Sequence, residues 1–162
     1  MTNIFSAKTI KAAILVGTLD ILAASIQFYL KTNKGPAPIF KFIASGIFGK
    51  DAFSSGNSMI LFGLLFHFFI AFIFTIFFFW ISDKIPAILK LKLVTGILYG
   101  VFIWTVMNLL VLPISNVPKS SFNFTNAIIG MMILIICIGI PLSLIASNHI
   151  KPGKSSLPPT MQ

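Results

Sequence analysis

"LFGLLFHFFIAFIFTIFFFW", residues 61 to 80, is twenty consecutive positions without a formal charge. The hydrocarbon core of a bilayer is about 30 Å thick and takes about 20 helical residues to cross, so this stretch reads as a membrane span. Its flanks extend the span to about 58–82. Three further runs share its character, at about 10–30, 93–112 and 124–147. The expected fold is therefore all-α: an integral membrane bundle of four transmembrane helices filling residues 1–147, followed by a polar, Pro-rich tail at 148–162 that reads as disordered.

Composition supports the same reading. Of 162 residues, 57% are hydrophobic and 9% charged, against about 25% charged in a soluble domain. Too few polar groups are present to cover a water-facing surface. All twelve basic residues are Lys and the acids are Asp20, Asp51 and Asp83, so the net charge of +9 reflects missing acids more than a basic patch. The Lys residues flank the apolar runs, where they meet headgroups and snorkel, and the partner they imply is an anionic lipid surface, not nucleic acid.

The same counts narrow the chemistry. Without Arg there is no bidentate clamp for phosphate or carboxylate. Without Glu, a single carboxylate falls inside a span, too few for a paired acid and base. Cys137, the one cysteine, excludes an intrachain disulfide and reads as a buried, inert thiol. Neither catalysis nor a cofactor is expected: a bis-His haem site needs two histidines, and the partner of His67 would be His149 in the tail.

Four spans place both termini on one side. Lys8, Lys11, Lys84, Lys90, Lys92, Lys151 and Lys154 lie there, against Lys31, Lys34, Lys41, Lys50 and Lys119 on the other side, seven to five. The excess favours cytoplasmic termini. The first run also has signal-peptide features, with Lys8 and Lys11 ahead of it and "LAAS" within it. Asp20 is a poor guest in a signal's apolar core, however, and the run is long enough to span.

After the first span, Pro36 and Pro38 can start a helix, and Ile39, Phe42, Ile43 and Ile47 then follow helical spacing to about residue 49. This segment, about 37–49, is either an amphipathic helix in the membrane interface or a re-entrant one whose backbone is covered by protein. "SDKIPAILKLK" reads as a compact turn and Pro141 as a kink in the fourth span.

Positions three or four apart share a helix face, and every span carries a row of small and polar residues. In the first it runs Ala13, Gly17, Asp20, Ala24, Gln27, Lys31; in the second Gly63, His67, Ala71, Thr75. The third gives Gly96, Gly100, Trp104, Asn108, and the fourth Asn126, Gly130, Ile133, Cys137, Pro141. Small residues let membrane helices approach closely and polar ones bond across the contact, so Gly17, Gly63, Gly96, Gly100 and Gly130 are expected in packing seams.

Depth sharpens the expectation. At about 1.5 Å per residue, Asp20 stands near the bilayer centre, His67 about 5 Å beyond it and Asn108 about 8 Å beyond it, all displaced away from the termini. Asp20, His67 and Asn108 are expected in one buried polar cluster, with Gln27 above. An ionised Asp at this depth costs on the order of 3 kcal/mol, so the cluster is either a proton-linked transport or permeation site or polar glue that sets helix register. A homodimer would give such a small bundle more room for a pathway.

Three stretches carry a family resemblance: "FIASGIFGKDAF" at 42–53, "GLLFHFFIAF" at 63–72 and "GILYGVFIWTVMNLLVLPIS" at 96–115. Together they resemble the YagU-like family of small bacterial inner-membrane proteins. The resemblance implies an inner-membrane location and four spans, with recurring features falling on Gly46, Gly49, His67, Gly100, Asn108 and Pro113. It implies no catalytic activity, and Asp20 rests on the physical argument alone.

Overall fold

The computed structural model describes residues 6–118 and 123–149; Lys119 and the tail from 150 lie outside them. Four helical stretches are long and apolar enough to cross a membrane: Ala7–Thr32, Ser58–Lys84, Pro86–Ile114 and Phe124–Asn148. Each exceeds the span read from hydropathy, because the helix continues past its apolar core into the polar flanks. The first, α1 (Ala7–Thr32), begins where Ser6 Oγ accepts the Thr9 amide and ends at Asn33 in the left-handed conformation, φ 52°.

Between the first two spans lie α2 (Ala37–Phe48) and a single turn, α3 (Asp51–Ser54). The sequence left α2 either interfacial or re-entrant, and its contacts show a helix docked on the bundle. Gly63, in α4 (Ser58–Lys84), makes the approach possible: a Cβ there would stand 1.9 Å from the Phe40 carbonyl oxygen of α2. Ala44 and Ser45 are fully buried. The far end of α2 is tied to the loop after the third span, where the Asn116 amide donates to Gly46 O at 3.0 Å and its Nδ2 to Ile47 O at 3.0 Å. Gly49 closes the helix at φ 61°, which a residue with a Cβ adopts only under strain.

The third span is longer than the expected 93–112. "PAILKL", read as part of a turn, is a 3₁₀ helix from Pro86 to Leu91 that feeds α5 (Lys92–Val106). A π segment, Met107–Val111, then leads to α6 (Leu112–Ile114). The fourth span repeats this pattern: α7 (Phe124–Leu134), a π segment at Ile135–Gly139 and α8 (Ile140–His149). In both, the residue before a proline donates five residues back, Leu112 to Met107 O and Ile140 to Ile135 O. Pro113 and Pro141 lack an N–H and crowd the carbonyl four residues earlier, and a widened turn accommodates both faults. Pro141 thus brings a π turn, a more specific outcome than the expected kink.

Spans three and four pack backbone to backbone. A Cβ at Gly96 would lie 2.7 Å from Ile140 Cα, one at Gly100 2.5 Å from Ile135 Cα, and one at Gly139 2.1 Å from Gly96 O. On the other side of the bundle, Gly17 of α1 receives the Phe68 ring and Ala71 of α4, at 3.0 and 3.2 Å from a Cβ position. Between these pairs, in the half holding the chain termini, sits a closed core of Ala12, Val16, Phe78, Tyr99, Ile103, Ile138 and Leu142. The Tyr99 ring packs on Phe78 at 4.6 Å and its hydroxyl donates to Phe74 O. Large apolar side chains such as Leu30, Phe69, Leu98 and Leu109 point outward, the face a lipid-solvated bundle presents.

Candidate functional site

The other half of the bundle is open. A cleft of about 650 Å³ lies there, within the size range of small-molecule sites. Its floor is Asp20 and its walls are set by four elements: Ala24 and Gln27 of α1, Phe42 of α2, Trp104 and Asn108 of the third span, and Asn126, Ala127 and Gly130 of α7. Pro118 and Asn123 stand at the rim.

Three of the four residues expected to cluster are in this cleft: Asp20, Gln27 and Asn108. His67 is not. Among the described residues, α4 contributes nothing to the lining, because α2, seated on Gly63, occupies the position where α4 was expected. His67 instead faces α1 and its Nε2 lies 2.8 Å from Gly17 O. A carbonyl oxygen can only accept, so Nε2 carries the proton. This bond ties α4 to α1 one turn from Asp20, leaving His67 within electrostatic reach of the carboxylate but outside its cavity.

Gly130 also departs from expectation. A Cβ there would meet nothing closer than the Trp104 indole nitrogen at 4.0 Å, so Gly130 widens the cleft and packs against no helix. The close-packing glycine of the fourth span is Gly139. The row read through Asn126, Gly130, Ile133, Cys137 and Pro141 assumes α spacing throughout, and the π turn at 135–139 rotates everything beyond it.

The Asp20 carboxylate makes no hydrogen bond and no ion pair with any described residue; His67 and Cys137 stand within longer electrostatic reach of it. Asn108 donates Nδ2 to Trp104 O of its own helix at 2.9 Å, which leaves its Oδ1 available to the cleft. Asn126 Oδ1 accepts from Lys31 Nζ at 2.9 Å across the α1–α7 seam, and Asn123 caps α7 by accepting the Asn126 amide. The resulting chemistry is that of a cation acceptor: one carboxylate, amide oxygens around it and an indole on one wall.

Sequence reasoning missed Asn123, Phe42 and Pro118. Asn123 carried a usable signal, an N-cap residue ahead of an apolar run; the other two reach the cleft only through the docking of α2 and the loop that holds it.

The fold and cleft define a four-span helical bundle built for a membrane, with a polar cavity opening away from its termini. No family model, no curated protein and no solved structure matches the chain, so the YagU-like resemblance rests on the three quoted stretches.

Proposed function

We propose that this is a small polytopic protein of the bacterial inner membrane, with both termini cytoplasmic, that takes up a proton or a cationic solute at Asp20 in proton-linked transport or permeation. One observation carries the reading: among the described residues Asp20 is the only charged one on the cleft wall, and no donor among them satisfies it. An ionised carboxylate at mid-membrane depth is unfavourable by about 3 kcal/mol or more. Since no described side chain offsets this, the offset falls to what enters the cleft, and a proton and a solute cation compete for the same oxygens. The closed core on the side of the termini argues for a site reached from one side at a time over an open pore.

The alternative is a noncatalytic scaffold or accessory subunit whose polar residues are structural, and His67 favours it in part, since its bond to Gly17 O is helix glue. The two readings separate in proteoliposomes loaded with tetramethylammonium chloride and pyranine. An outward tetramethylammonium gradient drives proton uptake faster than in protein-free vesicles, and Asp20→Asn removes the excess while the helical signal stays intact. Equal rates for wild type and Asp20→Asn would leave the scaffold reading.

A further inference from the structure

The cleft is not the only cavity along α1 and α7. On the outer, lipid-facing side of the same seam runs a groove of about 660 Å³ walled by Ala23, Ile26, Leu30, Lys31, Thr125 and Ile129. Gln27 and Asn126 line both cavities. The seam between them is thin: Ala24, Ala127 and Gly130 are its small inner residues, and the Lys31–Asn126 hydrogen bond, which is exposed, spans it at the top.

Each cavity supplies half of a description. Inside, among the described residues, a single carboxylate and no cationic side chain line the wall, so one positive charge is matched there and an anion or zwitterion is not. Among the described residues no group of three His, Cys, Asp or Glu could hold a metal ion, and a divalent cation seeks six or more oxygen ligands. A large cleft with the Trp104 indole on its wall fits an organic cation, whose charge an aromatic ring also attracts. Outside, the groove is mainly apolar and open to lipid, with Ile26 59% and Leu30 75% exposed, and the Lys31 ammonium on its wall is held by Asn126 Oδ1.

We infer that the ligand of the Asp20 cleft is an amphiphilic monocation, a quaternary or protonated amine with an apolar tail, that reaches the site from the bilayer between α1 and α7. Its head meets Asp20, Asn108 and Trp104 while its tail lies across the seam beside Ala23 and Ile129. This rests on the reading of Asp20 as a cation site, and adds the ligand class and the lateral route.

The test uses the full chain in phosphatidylcholine nanodiscs with Trp80→Phe, which leaves Trp104 as the single tryptophan reporter. Decyltrimethylammonium, tetramethylammonium and uncharged decyl maltoside are titrated against its emission. Both cations give saturable changes and the maltoside none; Asp20→Asn weakens both by about tenfold or more. Ala23→Phe, which fills the groove, weakens decyltrimethylammonium by about tenfold and leaves tetramethylammonium within about twofold. Ile129→Phe, which keeps Trp104 the single tryptophan, repeats the test from the α7 side should Ala23→Phe fail to fold. If neither groove variant changes decyltrimethylammonium binding while Asp20→Asn still removes it, the lateral tail site is wrong and the cation site stands. If the maltoside binds as well as the cation and Asp20→Asn changes nothing, the groove is a lipid site only and both readings fall.

Discussion

Gly139→Ala against Gly130→Ala isolates the packing that holds the closed half together. Both glycines lie in helical segments of the fourth span, so the preference of Ala over Gly in a helix, about 1 kcal/mol, works in the same direction for both and largely cancels in the comparison. What remains is space. At Gly130 the new methyl meets the Trp104 nitrogen at 4.0 Å, an ordinary contact. At Gly139 it would sit 2.1 Å from Gly96 O, a backbone atom on the neighbouring helix that cannot swing aside. Reaching a tolerable 3.0 Å requires the two helices to part locally by about 0.9 Å, which loosens Ile138 and Leu142 against Tyr99 and Ile103. Overpacking of this kind costs about 1 to 3 kcal/mol, and backbone against backbone belongs at the upper end. The expected gap between the variants is about 2 to 3 kcal/mol, more than tenfold in the unfolding equilibrium. Reversible unfolding in mixed micelles of rising dodecyl sulfate fraction reads it directly. Two midpoints within about 0.5 kcal/mol of each other would refute the backbone contact.

Two further substitutions probe the other contacts. His67→Ala removes the bond to Gly17 O and should cost about 1 kcal/mol in the same unfolding assay, yet leave tetramethylammonium affinity within about twofold because His67 is outside the cleft; a large loss of affinity would return His67 to the site. Asn116→Ala removes the side-chain bond to Ile47 O but keeps the backbone bond to Gly46 O, so amide exchange at the end of α2 should rise with a stability loss of about 1 kcal/mol; unchanged exchange would show that the loop does not hold α2.

The number of spans and the small-residue faces were legible because lipid imposes them: a helix must be apolar over bilayer thickness, and glycine permits close approach. Gly17, Gly63, Gly96 and Gly100 all sit where another helix presses. Asp20, Gln27 and Asn108 were brought together by helix-face spacing and depth arithmetic. The arithmetic failed for His67 because it takes depth and not azimuth, and azimuth around the bundle depends on α2, whose docking on Gly63 no periodicity records. It missed Gly139 because a π turn breaks the 3.6-residue count on which a face is read, and Gly130 because the face it shares with Asn126 and Ile133 lines the cleft and not a helix contact. Both π turns stand two residues ahead of a proline, Pro113 and Pro141, and that is the signal by which such a slip can be anticipated in an apolar run.

The packing also divides the bundle in a way that bears on how a cleft closed at one end could change access. α1 and α4 form one unit, joined by Gly17 against Phe68 and Ala71 and by the His67 bond, with α2 fastened to it at Gly63. Spans three and four form the other, joined by Gly96, Gly100 and Gly139. Within each unit a glycine brings the contact too close for sliding. Between the units the contacts are of three kinds: side chains of the Val16, Phe78, Tyr99 and Leu142 core toward the termini, the cleft with its thin α1–α7 seam at the other end, and the Asn116 bonds that tether the end of α2 to the loop after the third span. Side-chain contacts can be exchanged where backbone contacts cannot, so a change of access would run along the interface between units, with α1 moving relative to α7 and the Lys31–Asn126 bond breaking first. Asp20 lies at the depth where cleft gives way to core, and under the proposed transport function a cation held there would be passed from one side to the other without leaving its carboxylate.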